Sequence, residues 1–162
     1  MPESSVASAR SLTIGVISDT HGLLRPEALA ALASAEHILH AGDVGRIEIL
    51  DSLRAIAPVT AIRGNIDNHG PCAGLPATEA VELAGRLFYL VHSIDDLDIS
   101  PTAAGVAAVI YGHSHRPSSE VRNAVLYLNP GSAGPRRFDL PVTIALITAT
   151  PETLTARIIP IL

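Results

Sequence analysis

Seven residues between positions 19 and 115 have side chains of the kinds that bind divalent metal ions. They comprise two aspartates, one asparagine and four histidines: Asp19, His21, Asp43, Asn65, His92, His113 and His115. Ligation by a mixture of oxygens and imidazole nitrogens suits Mn²⁺, Fe²⁺, Co²⁺, Ni²⁺ or Zn²⁺ better than Mg²⁺ or Ca²⁺. Seven ligands are too many for one tetrahedral ion, so the set predicts two ions that share one carboxylate.

The spacing of these residues favours shared sites. Asp19-Thr20-His21 and His113-Ser114-His115 each place two ligands at positions i and i+2, and in an extended segment such side chains point to the same side. Glycines at positions 22, 42, 64 and 112 adjoin the ligands and let the backbone turn sharply near an ion. A Gly-Asp or Gly-Asn pair alone is usually a turn. The prediction therefore rests on the whole series, in which each motif follows an apolar segment.

Short apolar segments before the ligands predict the strands that position them. Residues 12–18, 36–41 and 59–63 are predicted strands, with helices over residues 26–32 and 46–57 between them. Successive strand–loop–helix units indicate parallel strands joined by right-handed crossovers. Sites in such sheets form outside the carboxyl ends of the strands, so we expect the seven side chains to converge on one rim.

The pattern of the chain changes after residue 67. The remaining predicted elements are two hairpins, one buried strand, one helix and a final pair of strands: 79–91, 119–128, 106–111, 95–104, and 142–149 with 153–159. Parallel units followed by mostly antiparallel strands indicate two sheets packed face to face. The predicted fold class is therefore α/β (α+β), a two-sheet β-sandwich flanked by helices.

The composition is typical of one globular domain. Of the 162 residues, 48% are apolar and 17% are charged, which fits a packed α/β domain and excludes a disordered chain. Residues 1–10 are small and polar and lack the apolar core of a signal peptide. We therefore expect a flexible N-terminal lead-in over residues 1–10 and a single domain over residues 11–162.

Charge and cysteine content narrow the expected partners and compartment. The formal net charge is −5 and the sequence has no stripe of Lys and Arg, so a long nucleic acid is not an expected partner. No apolar run reaches the length of a membrane span, so no membrane partner is expected. Cys72 is the only cysteine, which excludes an internal disulfide and favours a cytoplasmic protein.

The ordered motifs resemble those of the calcineurin-like metallophosphoesterase superfamily. The segments that carry the resemblance are Asp19-Thr20-His21, Gly42-Asp43, Gly64-Asn65, Val91-His92 and Gly112-His113-Ser114-His115. The chain length and the later Asn129-Pro130-Gly131-Ser132 look like the small bacterial and archaeal phosphodiesterase branch. This resemblance implies a four-layer αββα fold, which agrees with the sandwich predicted from the strand pattern.

The resemblance also implies a role for each ligand. Asp19, His21 and His115 would hold a first ion, and Asn65, His92 and His113 would hold a second. Asp43 would bridge both ions, and Asp43, Asn65 and His92 would take part in catalysis. The implied reaction is hydrolysis of a small phosphodiester by a hydroxide that bridges two divalent ions. The expected metal is Mn²⁺, with Ni²⁺, Co²⁺, Fe²⁺ or Zn²⁺ as alternatives. A homodimer is one assembly that the resemblance suggests, and the sequence leaves the oligomeric state open.

One position departs from the superfamily pattern. Many members have Gly-Asn-His where this chain has Gly64-Asn65-Ile66-Asp67. Ile66 cannot transfer a proton, and a diester with a good leaving group needs less proton donation, so diesters are favoured over monoesters. Asp67 has two interpretations, either orienting a ligand or loop, or capping a turn.

Several other polar residues lie beside these motifs. We expect His40 to pack at a strand end with a supporting role, His37 to be structural and His69 to be exposed in a loop. Proximity in sequence suggests substrate contacts for three further residues: Arg25, Asn68 and Arg116.

Three other functions fit the sequence less well than a phosphodiesterase. The superfamily contains a retromer subunit that is a protein-binding scaffold, but a scaffold has no physical need for seven ligands at one rim. It also contains nucleases, against which the acidic charge and the lack of a basic groove argue. A Rossmann nucleotide-binding domain is excluded because no Gly-x-Gly-x-x-Gly follows the first strand.

Overall fold

The computed structural model describes residues 11–162, and the predicted lead-in over residues 1–10 lies outside it. Strands and short helices alternate as far as the third strand, and strands predominate after it. The elements in chain order are β1 (Leu12–Ile17), α1 (Pro26–Ala31), β2 (His37–His40), α2 (Ile47–Arg54), β3 (Val59–Ala61), β4 (Thr78–Leu83), β5 (Arg86–Val91), α3 (Pro101–Ala104), β6 (Val106–Ile110), β7 (Ser118–Arg122), β8 (Val125–Asn129), β9 (Thr143–Ala149) and β10 (Leu154–Pro160). Single 3₁₀ turns lie at Pro71–Gly74 and Ile94–Asp96.

The strands form two five-stranded sheets. The first sheet has the order β10-β9-β1-β2-β3 and the second has the order β4-β5-β6-β8-β7. The three early strands are parallel, as predicted, while β9 joins β1 and β10 joins β9 in antiparallel pairs. In the second sheet β6 runs parallel to both of its neighbours, β5 and β8. The predicted two-sheet sandwich is therefore confirmed, and both of its sheets are mixed.

The buried side chains divide the molecule into four layers. Phe88 and Leu90 of the second sheet pack with Leu39 of the first sheet in the apolar layer between the sheets. On the outer face of the first sheet, Leu32 and Leu50 belong to a second cluster that holds helices α1 and α2. A third cluster covers the outer face of the second sheet with residues of the segment that contains α3, and this completes the αββα order.

The predicted continuous helix over residues 95–104 is wrong. The chain forms a 3₁₀ turn at Ile94–Asp96, then an extended link, and only four helical residues at Pro101–Ala104. Proline disfavours helical conformation in the residue before it and has no N–H to donate, so Pro101 begins a helix instead of continuing one. The hydroxyl of Ser100 accepts from the N–H of Ala103, and Gly105 ends the helix with φ of 74°.

The sheet directions bring the expected ligand positions to one end of the sandwich. Strands β1, β2 and β3 are parallel in one sheet, and β5 and β6 are parallel in the other. Each of these strands is followed, within a few residues, by at least one of the seven predicted ligands. Among residues 11–162 no helix is long and apolar enough to cross a bilayer.

We expect the layer between the sheets to carry most of the stability. Phe88 is 0% exposed, so the substitution Phe88→Ala should lower the free energy of unfolding by about 3–5 kcal/mol in chemical denaturation. Val121 on the edge strand β7 is 67% exposed, and Val121→Ala should change it by less than about 0.5 kcal/mol. Equal losses from the two variants would contradict this account of the core.

Candidate metal centre

The seven predicted ligands converge on the rim where the parallel strands end. The Nε2 of His21 lies 3.3 Å from Oδ2 of Asp43, and the Nε2 of His92 lies 3.2 Å from the same oxygen. The Nε2 of His115 lies 3.4 Å from Oδ1 of Asp19. At the exposed edge, the Nδ1 of His113 is 3.1 Å from Oδ1 of Asn65. Residues separated by up to 96 positions therefore form one cluster of donor atoms.

The donor atoms fall into two adjoining groups. Asp19, His21 and His115 each offer one atom within 4.8 Å of the others, and Asp43, His92 and His113 do the same. Asp43 also touches His21 of the first group, so its carboxylate lies between the two groups. This division matches the two ion positions implied by the resemblance, with Asn65 beside the second.

Unsatisfied buried atoms show that the cluster fits metal ions. Within residues 11–162, Oδ1 of Asp19 and the Nε2 atoms of His21 and His92 are buried without a hydrogen-bond partner. The other carboxylate oxygen of Asp19 accepts from the Ser18 hydroxyl at 2.6 Å and from the His113 N–H at 3.0 Å. Leaving a buried polar atom unpaired costs about 1–3 kcal/mol, and divalent cations at the two donor groups would satisfy all three atoms.

The carboxylates remain ionised despite their burial. Burial alone would raise the pKa of Asp19, but contacts with His115 and His21 outweigh it and hold the pKa well below its usual range. Contacts with His21 and His92 have the same effect on Asp43. The two carboxylates in turn raise the pKa of His21 to about 9. The rim therefore attracts positive charge, which either protons or metal ions can supply.

The ligand loops are not extended, which corrects the expectation from their i, i+2 spacing. Five of the seven ligands have positive φ: Asp19 (57°), His21 (47°), Asp43 (56°), His113 (72°) and His115 (63°). Hydrogen bonds between loops hold two of them in place, since the N–H of Asp19 donates to the carbonyl of Gly42 and that of His21 to the carbonyl of Asp43. Left-handed conformation costs a residue with a side chain roughly 1–2 kcal/mol, so strain concentrates at these positions.

Asp67 joins the loop of Asp43 to the loop of Asn65. Its carboxylate accepts from the N–H groups of Val44 and Gly45, both at 3.0 Å, and from that of Gly64 at 2.9 Å. Both interpretations of Asp67 from the sequence therefore hold, because it caps the turn at Gly64 and also folds back on a ligand loop. The N–H of Ile66 donates to Oδ1 of Asp43 at 3.0 Å, so this same turn orients the central carboxylate.

His40 supports the rim from inside the sandwich, as expected. It is 0% exposed, its Nδ1 accepts from the N–H of Gly42 at 3.1 Å, and its Nε2 lies 3.0 Å from the hydroxyl of Thr20. Because Nδ1 is an acceptor, the neutral ring carries its proton on Nε2 and donates it to Thr20. Thr20 donates onward to the carbonyl of Val44 at 2.8 Å. One neutral imidazole thus connects the two loops that hold Asp19 and Asp43.

The remaining polar residues near the motifs have different roles. His37 is half-buried and bonds to Thr60, and His69 is exposed and bonds only to its neighbour Asn68 within the described residues. Arg25 donates to the carbonyl of Gly134, so its guanidinium braces a loop. Contacts of Asn68 and Arg116 with substrate stay predictions.

The end of β8 and the loop that follows it support the rim, a role that the sequence did not indicate. The side-chain amide of Asn129 donates to the carbonyl of Gly112 and to the hydroxyl of Ser114, both at 3.1 Å. The hydroxyl of Ser132 donates to the carbonyl of Asp19 at 2.9 Å. Their position at the end of a buried strand and in the loop after it resembles that of the ligands, and this is the signal that the sequence offers.

Comparison with known proteins identifies a family model and a relative that this chain matches over most of its length. Residues 12–152 match the sequence model of the Calcineurin-like phosphoesterase superfamily domain. A probable metallophosphoesterase of Methanocaldococcus jannaschii is 34% identical over 164 residues, which cover 93% of this chain and 82% of the relative.

Two solved structures show the same fold at lower identity. Vacuolar Protein Sorting 29 from Cryptosporidium parvum has a TM-score of 0.78 at 19% identity, covering 91% of this chain and 90% of that one. A novel archaeal phosphodiesterase has a TM-score of 0.74 at 23% identity, covering 91% and 100%. At these identities the two structures support the fold alone.

We expect Gly64 to be required for ion binding. A Cβ at this position would overlap Oδ1 and the backbone nitrogen of Asp43. Gly64→Ala should therefore displace the central carboxylate and weaken metal affinity at least about tenfold in calorimetric titration with Mn²⁺, equivalent to roughly 1.4 kcal/mol. Gly74→Ala is the matched control, since a Cβ there meets no atom of the described chain within 4 Å. Unchanged affinity in Gly64→Ala would contradict the bridging position of Asp43.

His40 should make the stability of the metal-free protein sensitive to acid. Burial lowers its pKa from 6.5 to about 4, so the folded state takes up this proton only at a pH below that at which the unfolded chain does. The contribution of His40 to stability is thus complete above about pH 6.5 and is lost as the pH falls towards 4.

Between pH 7 and 4, wild type should lose about 2–4 kcal/mol more unfolding free energy than His40→Gln. Both proteins keep His21 and His92, so the difference isolates His40 in chelator-treated samples. Parallel pH profiles for the two proteins would show that His40 is not the titrating group.

Proposed function

This chain belongs to the calcineurin-like phosphoesterase superfamily, and from that premise we propose that it is a phosphodiesterase that requires two divalent metal ions. The observation that carries the proposal is the pair of adjoining donor groups with the Asp43 carboxylate between them. A phosphoester hydrolase of this superfamily needs a place where phosphate oxygens meet concentrated positive charge, and these groups supply the ligands for it.

Each ion would have ligands from several loops. We assign Asp19, His21 and His115 to the first ion, and Asn65, His92 and His113 to the second, with Asp43 shared. When bound, two such ions polarise the phosphoryl oxygens and lower the pKa of water so that it is a nucleophile near neutral pH. Mn²⁺ is the metal that we expect to support the highest activity, given the mixed oxygen and nitrogen donors.

The protein orients its own donors before any ion binds. The Nδ1 of His92 is 2.7 Å from the carbonyl oxygen of Ala41, and because a carbonyl only accepts, Nδ1 must carry the proton of the neutral ring. The lone pair of Nε2 therefore points at the donor cluster, the tautomer that a metal ligand needs. The carboxylate of Asp43 is likewise fixed by the N–H of Ile66.

The turn after Asn65 supports a diester as the substrate. Ile66 stands where many superfamily members carry a histidine, and its only polar contribution to Asp43 is a backbone N–H. A leaving group that departs as a stabilised alkoxide or phenoxide needs little protonation from this position. The similarity of the fold to an archaeal phosphodiesterase also supports this choice.

A protein-binding scaffold is the second candidate, because Vacuolar Protein Sorting 29 has the same fold. Burying ionised Asp19 and three unpaired side-chain atoms would serve no purpose in a scaffold, since such groups cost stability unless they are satisfied. We therefore favour the enzyme. A nuclease acting on long polymers is disfavoured by the net charge of −5.

Chelator-treated protein supplied with Mn²⁺ should hydrolyse bis-p-nitrophenyl phosphate, and Asp43→Asn should lower kcat about 10²–10³-fold by removing the shared charge. Asp51→Asn, which affects an exposed carboxylate paired with Arg54 on α2, is the matched control and should keep full activity. p-Nitrophenyl phosphate should be the poorer substrate. Full activity in Asp43→Asn would refute the assignment, and metal binding without any turnover would favour the scaffold.

A further inference from the structure

A cavity of about 630 Å³ opens beside the second group of ligands. Asn65, His92 and His113, the residues assigned to the second ion, form part of its lining. Within residues 11–162, Arg63 is the only lysine or arginine in that lining. The volume lies in the range of small-molecule sites, so a phosphodiester held at the rim would extend into this space beside Arg63.

Two hydrogen bonds hold Arg63 in its place at the cavity. Its backbone N–H donates to the carbonyl of Pro76 at 2.9 Å, and its Nη1 donates to the carbonyl of Leu75 at 2.6 Å. Both partners belong to the segment that leads into β4, so one loop fixes the backbone and the guanidinium. A long side chain usually loses rotamer entropy when it binds a ligand. The bond to Leu75 lowers that cost, because it restricts the guanidinium before a ligand arrives.

The bond to Leu75 leaves most of the guanidinium free to bind a ligand. Arginine has five N–H donors, and the Leu75 carbonyl accepts from one of those of Arg63. Within residues 11–162 this side chain has no other hydrogen-bond acceptor, and no carboxylate oxygen lies within 4.0 Å of its nitrogens, whereas the exposed Arg54 lies 3.3 Å from Asp51. Arg63 therefore keeps its charge and several donors for a molecule in the cavity.

The carboxylates in the same lining do not neutralise Arg63 by direct contact. They belong to exposed aspartates of the segment after β5: Asp95, Asp96 and Asp98. Because like charges repel, these side chains disfavour phosphate oxygens close to themselves. An anion in the cavity is therefore stabilised best beside Arg63 and the donor groups of the rim.

The shape of a guanidinium selects the kind of anion that it binds. Its planar fork donates two parallel N–H bonds to two oxygens of a phosphate group. The negative charge of a phosphodiester lies on its non-bridging oxygens, which are therefore the preferred acceptors. A guanidinium that binds one of them beside the second donor group also determines which way the two ester groups point.

We propose that Arg63 is a substrate-binding residue, which donates to a non-bridging oxygen of the phosphate group and orients the diester in the cavity. The bond from Nη1 to the Leu75 carbonyl aims the remaining N–H groups of the guanidinium. The effect of Arg63 on hydrolysis rests on the proposed phosphodiesterase function, while its binding of phosphate does not.

The kinetic test replaces Arg63 in the Mn²⁺-loaded enzyme. In Arg63→Ala, kcat/KM for bis-p-nitrophenyl phosphate should fall at least about tenfold, mainly through KM, because a charge-assisted hydrogen bond is lost. Arg63→Lys keeps the charge without the planar fork and should lose less. Guanidinium chloride, far below denaturing concentrations, should restore part of the activity of Arg63→Ala and leave wild type unchanged.

A control variant and a second readout separate substrate binding from a structural role. Arg157→Ala removes one exposed positive charge on β10, outside the cavity lining, and should keep full kcat/KM. A structural role of Arg63 would also displace Asn65, so Mn²⁺ affinity in calorimetric titration should be unchanged in Arg63→Ala. A loss of activity that follows a loss of Mn²⁺ affinity, or equal kcat/KM in Arg63→Ala and wild type, would overturn the proposal.

A binding measurement separates this inference from the proposed function. Inorganic phosphate titrated into the Mn²⁺-loaded protein should bind at least about tenfold more weakly to Arg63→Ala than to wild type, with Arg157→Ala unchanged. That difference without hydrolysis of bis-p-nitrophenyl phosphate would keep the phosphate contact and reject the phosphodiesterase. Hydrolysis with equal phosphate affinity and equal kcat/KM in wild type and Arg63→Ala would keep the enzyme and reject the role of Arg63.

Discussion

Two ionised aspartates buried beneath imidazole rings are the feature on which the rest of this structure depends. Asp19 is 0% exposed and Asp43 is 2% exposed, and burying a carboxylate is costly unless its charge is matched. Histidines that follow strands of both sheets compensate these charges. His21 follows a strand of the first sheet, and His92 and His115 follow strands of the second. Compensating the charge of the two carboxylates therefore requires the ends of the two sheets to lie next to each other.

Holding these side chains in place requires strained backbone. At roughly 1–2 kcal/mol for each left-handed residue, the five ligands with positive φ together oppose folding by an amount comparable to the net stability of an ordinary domain. Aliphatic packing between the sheets and the hydrogen bonds of His40 and Asp67 must offset that cost. The polar supports thus lie directly behind the strained loops, where Asp67 alone accepts three backbone N–H groups.

Much of this arrangement follows from local sequence patterns, and some of it does not. Apolar runs before Asp19, Asp43 and His113 predicted the strands, and the ligands gather at their ends because parallel strands share a rim. The left-handed loops were not predictable, because their conformation is imposed by hydrogen bonds between loops distant in sequence. The helix predicted over residues 95–104 is interrupted before Pro101, which begins a separate four-residue helix. The braces from Asn129 and Ser132 depend on tertiary contacts that periodicity does not encode.

The fold and the chemistry of the rim are separable, and this explains how one sandwich serves different functions. The layer between the sheets is made of apolar side chains and includes none of the seven ligands, so side chains at the rim can change without altering its composition. The similarity to Vacuolar Protein Sorting 29 therefore supports the sandwich fold and gives no information about the side chains at the rim. In this chain the rim carries a cluster of buried donor atoms that fits metal cations, so its chemistry is set by side chains at the strand ends and not by the apolar layer beneath them.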